Sequence, residues 1–119
     1  MTEWSKISGI LDEIRQQESI LEVSLVSRGG MYIMGDTPQG AHQETFAAMS
    51  AIIMGAAETT SSELKDLLGS VVISLSERNL ILASAGPKYM LAIAVSPDGN
   101  VNDILDGCRD KITQIERSI

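Results

Sequence analysis

The sequence is poor in the residues on which most enzymes and nucleic-acid-binding proteins depend. Its 119 residues include one cysteine, one histidine, three prolines, one Trp, one Phe and two Tyr. A lone Cys108 excludes an intrachain disulfide and a CxxC metal site. A lone His42 means that any Ser/His/Asp or Cys/His mechanism must use that imidazole. Trp4, Tyr32, Phe46 and Tyr89 are too few to build stacking platforms for bases or sugars. Lys and Arg number 9 against 16 Asp and Glu, a net charge of −7. Nucleic acid and anionic membranes both reward clustered cations, so neither is expected as a partner. No uninterrupted apolar run approaches the ~18 residues of a membrane span. The start, MTEWSKISG, lacks a basic region followed by an apolar run, so no signal peptide is expected. These absences predict a cytoplasmic protein.

What is present is the material of one domain spanning 1–119, with 44% apolar and 21% charged residues and no low-complexity tract. Trp4, Ile7, Leu11 and Ile14 recur at helical spacing and predict a helix over Thr2–Gln17, weakened by Gly9. Ser19–Ser27 and Met31–Gly35 read as two strands of a hairpin turned by Arg28-Gly29-Gly30. After the loop Asp36–Gly40, a long helix is predicted from about His42 to Leu68, closed by Gly69. Ser70–Ser76, Leu80–Ala85 and Tyr89–Val95 follow at meander spacing. In the last two strands both alternating sets are apolar, so both sheet faces should be covered. Asn100 is placed to cap a final helix whose stripe is Val101, Ile104, Leu105, Cys108, Ile112, Ile115 and Ile119. The predicted fold is therefore α+β, in the order α-β-β-α-β-β-β-α. Its five-stranded antiparallel sheet carries helices on both faces, a profilin-like sandwich.

No constellation of catalytic residues emerges. Gly35–Gly40 has the glycine spacing of a phosphate-binding loop, but Ala41-His42 stand where that loop needs Lys and then Ser or Thr. Cys108 falls on the apolar stripe of the last helix, the position of a small buried hydrophobe. Asp103, Asp106 and Asp110 share a helix face with Arg109 and Lys111, the pattern of a solvated face with local ion pairs. One helix cannot enclose a cation with enough ligands. The expectation is a non-enzyme with no metal and no cofactor.

The segment Glu44–Glu58, ETFAAMSAIIMGAAE, is apolar or small on nearly every side. Phe46, Met49, Ser50, Ile53, Ala57, Leu64, Leu67 and Leu68 fall on one stripe that could face a sheet. Ala48, Ile52 and Gly55 lie on its flank, with Ala47, Ala51 and Met54 spread over the far side. Small residues where charge is expected leave room for another helix, so a missing partner is predicted.

Element order, this helix and three strand motifs together resemble the Roadblock (dynein light chain roadblock) superfamily. Its stand-alone prokaryotic members, including MglB-type regulators of small Ras-like GTPases, are the nearest in appearance. The residues that carry the resemblance are Val23–Gly30, Phe46–Ala51, Val71–Leu75, Leu80–Gly86 and Tyr89–Val95. The resemblance implies a homodimer in which the third strand pairs with its symmetry mate and the long helices pack antiparallel. That assigns Ala48, Ala51, Ile52 and Gly55, with Val71, Val72, Ile73, Ser74 and Leu75, to the dimer interface. It also implies a small Ras-like GTPase as partner, with Glu44, Glu58, Ser62, Lys65 and the turn residue Arg28 as candidate contacts. The competing expectation is a small-molecule sensor of profilin-like or GAF-like architecture, which needs a cavity with convergent polar groups. The strands offer mainly Ser74, Ser76 and Ser84 for that role.

Overall fold

A computed structural model describes all 119 residues. Its elements are α1 (Trp4–Arg15), β1 (Ile20–Ser27), β2 (Tyr32–Gly35), α2 (Gln43–Glu63), β3 (Ser70–Ser74), β4 (Asn79–Ser84), β5 (Tyr89–Val95) and α3 (Val101–Ser118). This is the predicted α+β order. The strands form one sheet in the spatial order β2-β1-β5-β4-β3, with every neighbouring pair antiparallel. The chain therefore closes β5 onto β1 across most of its length and leaves β3 as a sheet edge.

The register fixes which side chains face which layer. Val23, Ile93 and Ile81 stand opposite one another on successive strands. They join Ile7, Leu11 and Ile14 of α1 and Ile104, Cys108 and Ile115 of α3 in a core of 15 buried residues. One residue along, alternation turns Ala92 and Leu82 to the other face. There, with Val26 and Met90, they pack against Ala47 and Met54 of α2. Both faces of β4 and β5 are covered, as their double apolar sets require.

Two glycines set how the first hairpin meets its surroundings. Gly35 has φ 98°, and a Cβ there would lie 2.4 Å from the Val23 carbonyl oxygen. The turn residue Gly30, at φ 94°, would place a Cβ 3.3 Å from Ala48 Cα. The hairpin turn thus docks directly on α2, and only a residue without a side chain permits that approach.

The structure corrects the reading of α2 in two respects. Its buried residues are Ala47, Ser50 and Met54, so the helix is rotated relative to the stripe expected from the sequence. Met49 is 49% exposed, while Ala47 and Met54, expected on the far side, are in the core. A helix apolar all round has no strong phase, and the one observed sets Ala48 against Gly30 and Glu58 against Arg28, with Phe46 and Ile53 still packed on the core. The helix also stops at Glu63 and not at Leu68. Thr59, Thr60 and Ser61 donate their hydroxyls back to the carbonyls of Gly55, Ala56 and Ala57. Lys65 then adopts φ 57°. Its N–H donates to the Ser62 carbonyl and the Asp66 N–H to the Ser61 carbonyl, both at 3.0 Å. This is the paired bonding of a Schellman ending, built without glycine. Gly69 consequently lies in the connection to β3 and caps nothing. Other bounds move less. Trp4, placed on the α1 stripe, is 41% exposed, and β3 ends at Ser74, so Leu75 falls just beyond it.

Candidate interaction surface

The groups capable of chemistry do not converge. His42 is exposed at the start of α2, whereas Cys108 is buried on the opposite side of the sheet. Burial pushes the Cys108 thiol above its ordinary 9.0, opposed by its hydrogen bond to Gln17 Oε1 at 3.7 Å. A thiol in that state is a poor nucleophile at neutral pH. No three His, Cys, Asp or Glu side chains lie together as a metal site would need. On the acidic face of α3, Arg109 pairs with Asp106 at 2.9 Å.

The outward face of α2 has a different character. Met49, Ile52, Gly55, Ala56 and Thr59 recur at helical spacing and are all exposed. Ile52 retains 61% of its accessible surface, and a Cβ on Gly55 would meet nothing within 4 Å. The stripe carries no charge over more than two turns. Sequence periodicity missed Met49, Ala56 and Thr59 as members of it: the expected sheet-facing stripe does hold Phe46, Ser50 and Ile53 against the sheet, but it was set a fraction of a turn away and took in Met49. The recoverable signal was Gly55, a helix-weakening residue with no packing reason in the chain itself.

The residues assigned to the interface fall into three groups. Ile52 and Gly55 lie on the outward stripe. Ala48 and Ala51 are half-buried, with the Ala48 Cα 3.3 Å and the Ala51 Cβ 3.7 Å from where a Gly30 Cβ would be. They line the flank of the stripe and support the hairpin turn. On β3, Val71 and Ile73 turn toward the α2 side and are half-buried, whereas Val72 points to the other face and is 45% exposed. Ser74 and Leu75 are exposed at the end of the edge strand.

Among the candidate partner contacts, Glu44, Ser62 and Lys65 are exposed at the two ends of α2. Arg28 and Glu58 find each other. Arg28 Nη1 pairs with Glu58 Oε1, its Nε donates to the Tyr89 carbonyl at 3.2 Å, and its Nη2 donates to Ser84 Oγ at 2.9 Å. The Arg28 side chain is only 21% exposed. It is a bracket between the first turn, the β4–β5 end of the sheet and α2.

One apolar cavity, of about 230 Å³, opens between the start of α2 and the β3–β4 end of the sheet. Phe46, Ile73, Leu75 and Leu80 line it, and Arg78 is its one charged neighbour. It is smaller than the roughly 300 Å³ at which small-molecule pockets begin, and it lacks converging polar groups. No helix is long and apolar enough to cross a membrane.

The sequence model of the Roadblock/LC7 domain matches residues 6–94. Among solved structures, MglB from Myxococcus xanthus superposes with a TM-score of 0.87 at 13% identity, over 98% of this chain and 90% of that one. The gliding protein MglB from Thermus thermophilus gives 0.83 at 15% identity, over 97% and 89%. A Roadblock/LC7 domain from Streptomyces avermitilis gives 0.76 at 15% identity, over 98% and 97%. No curated protein matches by sequence.

Proposed function

The chain belongs to the Roadblock/LC7 family, and from that premise we propose that it acts as a homodimeric, non-enzymatic module that binds a small Ras-like GTPase and regulates it or scaffolds its assembly. The observation that carries the proposal is the uncharged outward face of α2, from Met49 to Thr59, lying on the same side of the sheet as the exposed end of the β3 edge. An exposed apolar stripe and an unpaired strand edge are each a liability for a monomer. A two-fold axis covers both at once, because antiparallel helices and an antiparallel strand pair are self-complementary.

In that dimer the two α2 helices form a composite surface. Glu44, Ser62 and Lys65 supply its free polar contacts, and the Arg28–Glu58 bracket fixes its shape. The nucleotide site belongs to the GTPase, since Gly35–Gly40 leads into Ala41-His42 without a phosphate-binding lysine. The sensor reading is weaker: the apolar cavity has Arg78 alone as a charged lining group.

Sedimentation at micromolar concentration should give twice the 12.8 kDa chain mass. Gly55→Arg should return the monomer with its fold intact, because its side chain meets open space in a single chain. Small GTPases of the same cell, loaded with GDP or a GTP analogue, should then be tested against wild type and this variant. Binding by wild type and loss in the variant is the expected result. A monomeric wild type, or no binding in either nucleotide state, rejects the reading.

A further inference from the structure

The ion pairs of the chain employ Lys6, Arg15, Arg28, Arg109 and Lys111. Of the cations left over, Lys65, Lys88 and Arg117 are exposed, and Arg78 alone is half-buried. A chain with 16 carboxylates to 9 cations thus leaves its one sheltered, unpaired guanidinium without a carboxylate. What holds Arg78 is backbone. Its carbonyl accepts the Leu75 N–H at 3.0 Å, which closes the turn between β3 and β4. Its Nη1 donates to the Gln39 carbonyl at 3.0 Å. A guanidinium carries five N–H donors, so a carboxylate can still take two of those that remain.

Arg78 borders the apolar cavity of about 230 Å³ at the start of α2. The floor of that cavity follows from the register: Ile73, Leu80 and Ala94 stand opposite one another on β3, β4 and β5. Phe46 of α2 and Ala41 of the preceding loop complete its wall. Phe46, Ile73 and Leu80 are only half-buried, and Leu75 at the β3 end is 48% exposed. The lining therefore still meets water, and an apolar occupant gains by displacing it. The volume is too small for a drug-sized ligand. Scaled from the roughly 150 Å³ cavity that holds benzene, it admits about nine non-hydrogen atoms. One charged group is too little for a polar ligand and enough for a monoanion.

We propose that this cavity binds a small aliphatic monocarboxylate, its chain over Ile73, Leu80 and Ala94 and its carboxylate on Arg78. The site goes beyond the GTPase reading and does not depend on it. Ile73 and Leu75 are also assigned to the dimer interface, so binding has to be followed in the dimer and in a monomer.

Hexanoate, with about eight non-hydrogen atoms, is the probe. Titrated into isotope-labelled wild type, it should give saturable amide shifts at Ala41, Ile73, Leu80 and Ala94. Hexanol has the same chain without the charge, and acetate has the charge without the chain; each should bind about tenfold more weakly or worse. Arg78→Gln should cost about tenfold or more in hexanoate affinity, the worth of a hydrogen bond to a charged group. Ala41→Trp places an indole at an exposed position of the lining and should abolish the shifts while the rest of the spectrum stays that of the folded chain. Gly55→Arg should bind hexanoate as wild type does. No saturable shift, equal binding of hexanol, or unchanged affinity in Arg78→Gln rejects the site and leaves the dimer and the GTPase reading as they were. Binding by Gly55→Arg but not by a dimeric wild type also rejects it, because a second copy then closes the cavity.

Discussion

Gly9 and Gly55 both sit inside helices, and a Cβ at either would meet nothing within 4 Å. Their alanine variants therefore separate an effect of the chain from an effect of its partner. Gly9→Ala should raise stability by ~1 kcal/mol through helix propensity, visible as a melting point several degrees higher, and leave association unchanged. Gly55→Ala gains the same propensity but sets a methyl group where the proposed dimer would bring a second helix. Its monomer should be stabilised and its dimerisation weakened by about tenfold or more; equal association of the two variants would remove Gly55 from any contact. Cys108 carries a different signature. Burial holds its thiol above the ordinary 9.0 in the folded chain, so the unfolded chain loses the proton first as pH rises. Stability from this group is complete below pH ~9 and declines as pH climbs toward the folded value. Urea unfolding between pH 8 and 10 should show that decline in wild type and less of it in Cys108→Ala. At neutral pH the variant should lose ~1 kcal/mol of packing.

At the scale of elements, α2 shows how a sequence pattern can be right about existence and wrong about phase. The strands were legible because apolar alternation and the breaks at Glu77-Arg78-Asn79 and Gly86-Pro87-Lys88 are local signals. The last helix was legible because its apolar set, with Ile104, Cys108 and Ile115 buried, is sharply divided from its acidic side. In α2 the expected stripe of Phe46, Met49, Ser50 and Ile53 and the neighbouring positions Ala47, Ala51 and Met54 are alike free of charge, so no polar face fixes the helix's rotation. The rotation observed sets Gly30 against Ala48 and Arg28 against Glu58, contacts 18 and 30 positions apart that no periodicity records. Its end misled for a related reason. Leu64, Leu67 and Leu68 continue the apolar period, yet the backbone turns at Lys65 and leaves Leu64 73% and Leu67 94% exposed. The exposed uncharged stripe of α2 was therefore legible in outline, through Ile52 and Gly55, but not in Met49, Ala56 or Thr59. The turn itself is testable. Lys65→Gly removes the cost of a left-handed side-chain-bearing residue and should add ~1 kcal/mol to stability in urea unfolding. An unchanged midpoint would mean that Lys65 does not hold that conformation. Because Lys65 is also a proposed partner contact, affinity for the GTPase should fall as stability rises.

At the scale of the whole molecule, the proposed function raises the question of how a dimer of this chain would alter a GTPase. One route is an arginine inserted into the partner's nucleotide site, which can be worth 10³–10⁵ in rate. The turn arginines Arg28 and Arg78 are the candidates, and their surroundings bear on the choice. Arg28 has three partners, Glu58, Ser84 and the Tyr89 carbonyl. Extending it into another protein would break all three and free α2 from the hairpin turn. Arg78 is tied to the Gln39 carbonyl at the cavity edge. Under the proposed function, regulation would then proceed by repositioning the GTPase's own switch segments on the paired α2 surface. In single-turnover hydrolysis with saturating dimer, Arg78→Lys should keep the stimulated rate within a few fold, because lysine keeps the charge and its bond to the Gln39 carbonyl, whereas a finger's bidentate geometry would be lost. Arg28→Ala should lower the melting temperature first and affect hydrolysis only through loss of the folded surface. Should either variant remain folded and dimeric, bind the GTPase as wild type does, and yet lose stimulation by a hundredfold or more, the regulator would be working through a finger after all.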